Sequence, residues 1–319
     1  MTSSKWLAAI VAATILVVGV AACGSDDDTT GGSGGGDLSG SIRIDGSSTV
    51  APLSEAVAEQ FMAENSGVRI TVGTSGTGGG FEKFCAGETD ISDASRAIEP
   101  EEEDACKKGG VGYEEVHVAT DALTVMINNE NPVSCLTVDQ LADIWGPDSG
   151  IDNWSDVPGL KEGFDEELAL FGPGTDSGTF DYFTEAINGE EGVSRTDYNN
   201  VGEDDNATVK GVEGSPGGMG YAGFSFYTEN EGNLKALEVD NGKGCVPPSV
   251  EAAQNGSYAP LSRPLFIYPS EQALQKPEVK AFIAYYLENV NSVAEALGFV
   301  PLTEDQLAEA EAAAEKIGL

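Results

Sequence analysis

The apolar positions of this 319-residue chain change period repeatedly, and each change marks a predicted element. Ser41–Asp45 alternates polar and apolar residues, as a strand with one buried face does. Leu53, Val57 and Phe61 then recur every four residues and predict a helix from Ala51 to Met62. Pro52 falls in its first turn, where a missing N–H does no harm. Val68–Val72 alternates again, and Phe81 opens a short helix to Cys85. Thr89–Arg96 reads as a strand that ends in small polar groups and one arginine. Glu115–Ala119 and Ala122–Ile127 read as paired or successive strands. Thr137 and Gln140 form a capping box that opens a helix through Leu141, Ile144 and Trp145. Leu168–Phe171 is a short strand, and Phe180, Phe183 and Ile187 share one face of the helix after it. Gly217–Tyr227 is rich in glycine and aromatic residues, which suits tight strand–helix packing. Pro264–Tyr268 is a further strand. Helices follow at 277–290, at Ser292–Leu297 and from Thr303, the last with a Thr303/Gln306 capping box. Strands alternating with helices predict an α/β fold.

The chemistry lies where strands turn into helices. Three such turns are built from glycines and hydroxyls: Gly46-Ser47-Ser48-Thr49-Val50, Gly73–Gly80, and Gly172-Pro173-Gly174-Thr175-Asp176-Ser177-Gly178-Thr179. The first N–H groups of a helix lack internal partners, and its dipole favours negative charge there. Each turn alone could be an ordinary helix cap; three together predict an oxyanion seat. The 73–80 loop has neither GxxxxGK[ST] nor GxGxxG in register, so it does not predict a nucleotide site. It is not a GxSxG nucleophile elbow either, because Thr77 stands two places after Ser75. Arg96, at the end of an apolar strand in an arginine-poor chain, is the candidate cation. A surface ion pair with Glu99 or Glu101 is the alternative reading.

Charge narrows the partners. A net charge of −38 with pI near 4.1 argues against nucleic acid and anionic membrane as partners, so any anion site must rest on local dipoles. At the N-terminus, Lys5 precedes an apolar run from Trp6 to Ala22 that is short for a membrane span. Val20-Ala21-Ala22-Cys23 resembles a bacterial lipobox. This predicts a lipoprotein signal peptide at 1–22, lipidation of Cys23, and a flexible Gly/Ser/Asp tether over 23–37. The expected location is the cell membrane, lipid-anchored on its extracytoplasmic face. Cys85, Cys106, Cys135 and Cys245 remain, an even number that suggests two disulfides with three possible pairings. Cys85–Cys106 with Cys135–Cys245 is the expected pairing. No CxxC occurs and His117 is the only histidine, so no metal site or cofactor is expected.

Taken in order, Gly46-Ser-Ser-Thr-Val-Ala-Pro, the Ser75-Gly-Thr-Gly-Gly-Gly loop, Asp90–Arg96, Asp176-Ser-Gly-Thr and Gly217–Tyr227 resemble the phosphate-binding lipoproteins of bacterial ABC phosphate importers. The resemblance covers roughly 40–319. It implies a two-lobed periplasmic-binding-protein fold of type II, hinged between lobes. Lobe 1 would comprise 38–120 with 262–319, and lobe 2 would comprise 121–261. Each expected disulfide then stays within one lobe. The implied function is high-affinity binding of inorganic phosphate by a monomer and its delivery to a membrane permease. Carried over, the ligands are Ser48, Thr49, Ser75, Thr77, Ser95, Arg96, Ser177, Gly178 and Thr179, with Asp176 and Arg195 in reserve.

The chain departs from that pattern twice. Many family members carry an acidic residue near position 95 to accept the proton of hydrogen phosphate, where this chain has Ser95-Arg96. Many also carry an arginine shortly before Ser-Gly-Thr, where this chain has Gly172-Pro173-Gly174. Arg96 is therefore the expected positive partner, and the proton acceptor is left among Asp45, Asp93, Asp176 and Asp205. Two other classes stand beside this reading. One is a binder of sulfate or molybdate, which a site made only of donors would suit. The other is a secreted phosphatase or serine hydrolase with Ser177 as nucleophile, which would need a nearby base.

Overall fold

A computed structural model describes residues 38–160, 163–202 and 204–316. The expected signal peptide, Cys23 and the tether lie outside the described residues. Among the described residues no helix is long and apolar enough to cross a membrane.

The chain opens β1 (Ser39–Gly46), α1 (Ala51–Glu64), β2 (Gly67–Gly73), α2 (Gly76–Cys85), β3 (Ile91–Ala94), α3 (Pro100–Gly109) and β4 (Val116–Asn128). It continues with β5 (Cys135–Thr137), α4 (Val138–Trp145), β6 (Ala169–Gly172), α5 (Gly178–Asn188), β7 (Asn199–Asn200), α6 (Asp205–Gly214) and β8 (Gly218–Gly223). After α7 (Phe224–Thr228) come β9 (Leu234–Ala236), β10 (Glu238–Asp240), β11 (Cys245–Val246) and α8 (Val250–Gln254). Last are β12 (Ser262–Pro269), α9 (Pro277–Ala296) and α10 (Glu304–Lys316).

One sheet runs β2-β1-β3-β12-β4-β8-β6-β7, with β9 also on β4. β1 pairs in parallel with β2 and β3, and β12 runs antiparallel to both β3 and β4. β4 carries the sheet onward: its first half pairs with β12 and its second half with β8. The two strands expected over 115–127 are thus one continuous strand, which contributes to both ends of the sheet. A second sheet joins β5, β10 and β11.

Burial follows the sequence periodicity. Ile42 and Ile44 of β1 face inward, as do Leu53, Val57 and Phe61 of α1 and Val279, Phe282, Ile283, Tyr286 and Leu287 of α9. These belong to one apolar cluster built from residues 42–119 and 265–314, while a second draws on residues 123–261. The second contains Trp145, Trp154 and the stacked pair Phe183–Tyr221, whose ring centroids are 3.7 Å apart. Backbone contacts join the described residues into one unit, because β4 and β12 run through the middle of the sheet. Both expected disulfides are present, Cys85–Cys106 within the first set of elements and Cys135–Cys245 within the second.

Two sequence expectations about helices are corrected. The break expected between 290 and 292 is absent, and α9 continues to Ala296 with Val290, Val293 and Ala294 buried on its inner face. The helix expected to start at Phe81 begins at Gly76, inside the glycine loop. Its glycines permit a close approach: a Cβ on Gly80 would lie 2.5 Å from the Cα of Gly46. Gly46 is itself restricted, with φ +148° and a notional Cβ 2.0 Å from the carbonyl oxygen of Asp93. The acidic stretch after α5 is anchored by Arg195. That residue is 5% exposed, with ion pairs to Asp152 and Asp197 and hydrogen bonds to the carbonyls of Ile144 and Ile151.

Candidate functional site

The carboxyl ends of β1, β2 and β3 open onto one cavity, where ligands of open α/β sheets bind. Its volume is about 340 Å³, and its lining is mostly polar. Ser48, Thr49, Ser75, Thr77, Ser95 and Arg96, all named from the sequence, line it together with Ser47 and with Gly76, Gly78 and Gly79 of α2. A more open hollow of about 620 Å³ around Lys243 and Pro260 has none of these loops.

Local folding explains the convergence. The N–H of Ser47 donates to the carbonyl of Asp93 (2.9 Å), tying the first loop to β3. Ser75 donates to Asp45 through both its N–H (3.1 Å) and its hydroxyl (2.5 Å), tying the second loop to β1. Lys83 meets the other oxygen of Asp45 at 2.6 Å. The hydroxyls of Thr77 and Ser95 lie 3.1 Å apart, and the N–H of Ser95 donates to Thr77 (3.2 Å), joining α2 to the end of β3. Hydroxyl oxygens, backbone N–H groups and the N-terminus of α2 therefore face one small volume.

The third loop approaches from the side of α5. Ser177 caps that helix by accepting the N–H of Thr179 at 3.3 Å. Ser177, Gly178 and Thr179 are not among the cavity-lining residues, but Gly178 abuts the first loop. A Cβ there would lie 3.7 Å from the Oγ1 of Thr49 and 3.9 Å from the Oγ of Ser48. Asp176 is exposed one residue earlier and does not line the cavity. Arg195 is a correction: its guanidinium is held by Asp152 and Asp197 and does not line the cavity either.

Arg96 lines the cavity, and most of its donors are already engaged. Nη1 and Nη2 make a bidentate pair with Glu102 at 2.8 Å each, Nε lies 3.3 Å from Glu99, and Nη1 also donates to the carbonyl of Ala97. The surface-pair alternative thus describes part of its role, with Glu102 as the main partner instead of Glu101.

Other lining residues escaped the sequence reading. Arg263, at the start of β12, has its guanidinium carbon 3.6 Å from the ring centroid of Tyr182 on α5. It donates to the Oγ1 of Thr49 at 2.9 Å and stands beside Asp121, its register partner on β4. Asp181, Glu185 and Glu191 bring carboxylates to the same wall. Burial pushes the carboxyl of Asp181 above its ordinary pKa, and nearby Glu191 adds to the shift. Of the four acceptors named from sequence, Asp45 is held by Ser75 and Lys83, Asp93 is buried beneath the first loop, and none lines the cavity. A signal for Arg263 did exist: it is an arginine directly ahead of an apolar strand, as Arg96 is directly after one.

Among the described residues, the only group with metal-ligand spacing is Cys135, Glu238 and Cys245, and its two cysteines are bonded to each other. His117 points elsewhere, with Nε2 2.8 Å from the carbonyl of Ala119, and the Oγ of Ser177 accepts the N–H of Thr179.

Comparisons with known proteins place the chain in a family. The PBP superfamily domain matches residues 31–290. Protein SphX of Synechococcus elongatus is 51% identical over 265 residues, covering 82% of this chain and 77% of SphX. The phosphate-binding protein PstS of Staphylococcus epidermidis is 39% identical over 268 residues, covering 83% of this chain and 79% of PstS. The crystal structure of a possible phosphate binding protein from Planctomyces limnophilus superposes with a TM-score of 0.84. It is 43% identical and covers 88% of this chain and 100% of that one. A two-lobed α/β sheet with anion-type loops on one cavity, in a chain this close to SphX and PstS, leads to one conclusion: this chain belongs to the PBP superfamily and, within it, to the family of the PstS and SphX binding proteins.

Proposed function

We propose that this chain binds inorganic phosphate outside the cytoplasm and delivers it to the membrane permease of an ABC importer, acting as a binding protein and not as an enzyme. The observation that carries this reading is the convergence of the 46–49, 73–80 and 95–96 loops on one small polar cavity, with the N-terminus of α5 set against it. Ser48, Thr49, Ser75, Thr77, Ser95, Ser177, Gly178 and Thr179 supply hydroxyl and backbone donors, and Arg96, already paired with Glu102, borders the cavity.

The carboxylates on the α5 wall favour phosphate over sulfate. Phosphate keeps a proton near neutral pH and can donate it to Asp181, whereas sulfate would set acceptor against acceptor. That is the specific observation against the other-oxyanion reading. The two apolar clusters support lobes at 38–120 with 262–319 and at 121–261, rotating about 119–122 and 262–265. Lipidation at Cys23 would hold a monomer on the outer face of the membrane, with the acidic chain itself away from anionic lipid.

Isothermal titration of the purified, phosphate-stripped protein tests the reading. Tight one-to-one binding of phosphate with sulfate at least a hundredfold weaker is expected. Equal affinity for sulfate and phosphate, or binding of neither, refutes it.

A further inference from the structure

The cavity holds two guanidinium groups, and they differ in what their donors already do. Arg96 presents its fork to Glu102, with both nitrogens at hydrogen-bond distance. A bidentate arginine–carboxylate pair of this kind uses the two directions a guanidinium offers best. Its side chain is one-third exposed and sits on a loop.

Arg263 is different in each respect. Its side chain is 14% exposed and stands on β12, in the centre of the sheet. The nearest carboxylates, Asp121 on Nε and Glu185 on Nη1, lie 3.5 and 3.6 Å away. These distances give charge compensation but no hydrogen bond. Nε is buried without a hydrogen-bond partner among the described residues. Nη2 makes the one close bond, to the Oγ1 of Thr49, itself a residue of the first anion-type loop. The ring of Tyr182 lies against the guanidinium face and fixes its plane. What is left is a held, desolvated cation with unsatisfied N–H groups beside the hydroxyls of the cavity. It also touches both halves, the first loop at Thr49 on one side and Tyr182 of helix α5 on the other.

We propose that Arg263, not Arg96, is the fixed positive charge that contacts the bound anion, through N–H groups of its guanidinium edge. This rests on the phosphate-binding reading above. Asp121 balances the cation on the Nε side, and Tyr182 orients it. Arg96 is a positioning residue that holds the end of β3 to the start of α3 through Glu102. Lysine cannot replace Arg263, because an ammonium neither lies flat on Tyr182 nor reaches Thr49 and the anion together.

Titration calorimetry with inorganic phosphate on the parent, Arg263→Ala, Arg263→Lys and Arg96→Ala is the test, with circular dichroism to check folding. Loss of one partner of a buried charged contact is expected to weaken phosphate binding roughly 30- to 5,000-fold in Arg263→Ala. Arg263→Lys should recover little of this, and Arg96→Ala should stay within about fivefold of the parent, as a surface pair would. Should Arg263→Ala misfold, the arginine Nε–Hε resonances of the parent, assigned by their absence in the lysine variants at 263 and 96, provide the second readout. The Arg263 signal should move on adding phosphate and the Arg96 signal should not. Binding within threefold of the parent in Arg263→Ala, an Arg96→Ala loss equal to or larger than it, or a static Arg263 resonance overturns the proposal alone. A parent that binds no phosphate overturns the functional reading and this proposal with it.

Discussion

Asp93 sits directly beneath the first anion-type loop, and its protonation should govern how the stability of that region depends on pH. The residue is fully buried. Its Oδ1 accepts the hydroxyl of Ser54 at 3.0 Å, that hydroxyl lies 3.1 Å from the phenol of Tyr286, and Oδ2 has no hydrogen-bond partner among the described residues. Burial pushes the carboxyl up to about 8; the Ser54 hydrogen bond opposes this, and the charges of Asp45 and Glu55 reinforce it. The folded pKa is therefore above the unfolded one near 4, so the native state holds a proton that the unfolded chain has lost. The contribution is fully present below about pH 4 and is lost progressively as pH rises to about 8. The slope is about 1.4 kcal/mol per pH unit, on the order of 5 kcal/mol across the whole window. Asp93→Asn keeps the Ser54 acceptor and removes the titration. Urea unfolding of parent and variant in phosphate-free buffer, from pH 4.5 to 9, should show the parent losing about 1.4 kcal/mol per pH unit relative to the variant up to about pH 8, and no further relative loss above it. A difference that stays constant across that range refutes the burial argument.

Asp181→Asn should weaken phosphate binding by about 10- to 100-fold, the loss expected for one charge-assisted hydrogen bond, while leaving sulfate equal or tighter; an unchanged phosphate-to-sulfate ratio by calorimetry removes Asp181 as proton acceptor. Gly80→Ala would drive a methyl to within 2.5 Å of Gly46, so it should destabilise the fold by roughly 1–3 kcal/mol and weaken phosphate binding. Gly214→Ala, which meets nothing within 4 Å, should leave both unchanged, and indistinguishable melting curves for the two would contradict the packing account. Replacing Cys135 and Cys245 by serine opens a loop of 110 residues and should cost roughly 4 kcal/mol of unfolding free energy, read by urea titration under non-reducing conditions.

The local grammar of this chain was legible without coordinates, because it depends on neighbours a few residues apart. Hydrophobic spacing placed α1, α5 and α9 and the strands before the three loops. The Thr137/Gln140 and Thr303/Gln306 capping boxes form as read, each with both reciprocal hydrogen bonds. Two of the three glycine-and-hydroxyl turns, those after β1 and β2, line the cavity.

What the tertiary structure decided concerns groups far apart in the chain. Arg263 meets Thr49 across 214 positions, and only the placement of β12 between β3 and β4 brings that charge to the cavity. Arg195 reads like a candidate ligand until Asp152, over 40 residues away, is seen to hold it. Likewise Asp181 looks like a residue of the outer helix face, yet the seating of α5 against the first loop turns it toward the cavity. A charge in a sequence carries no record of which countercharge it will face. Packing settles that, because the energy of a buried ion depends on partners within a few ångströms, whatever their distance along the chain.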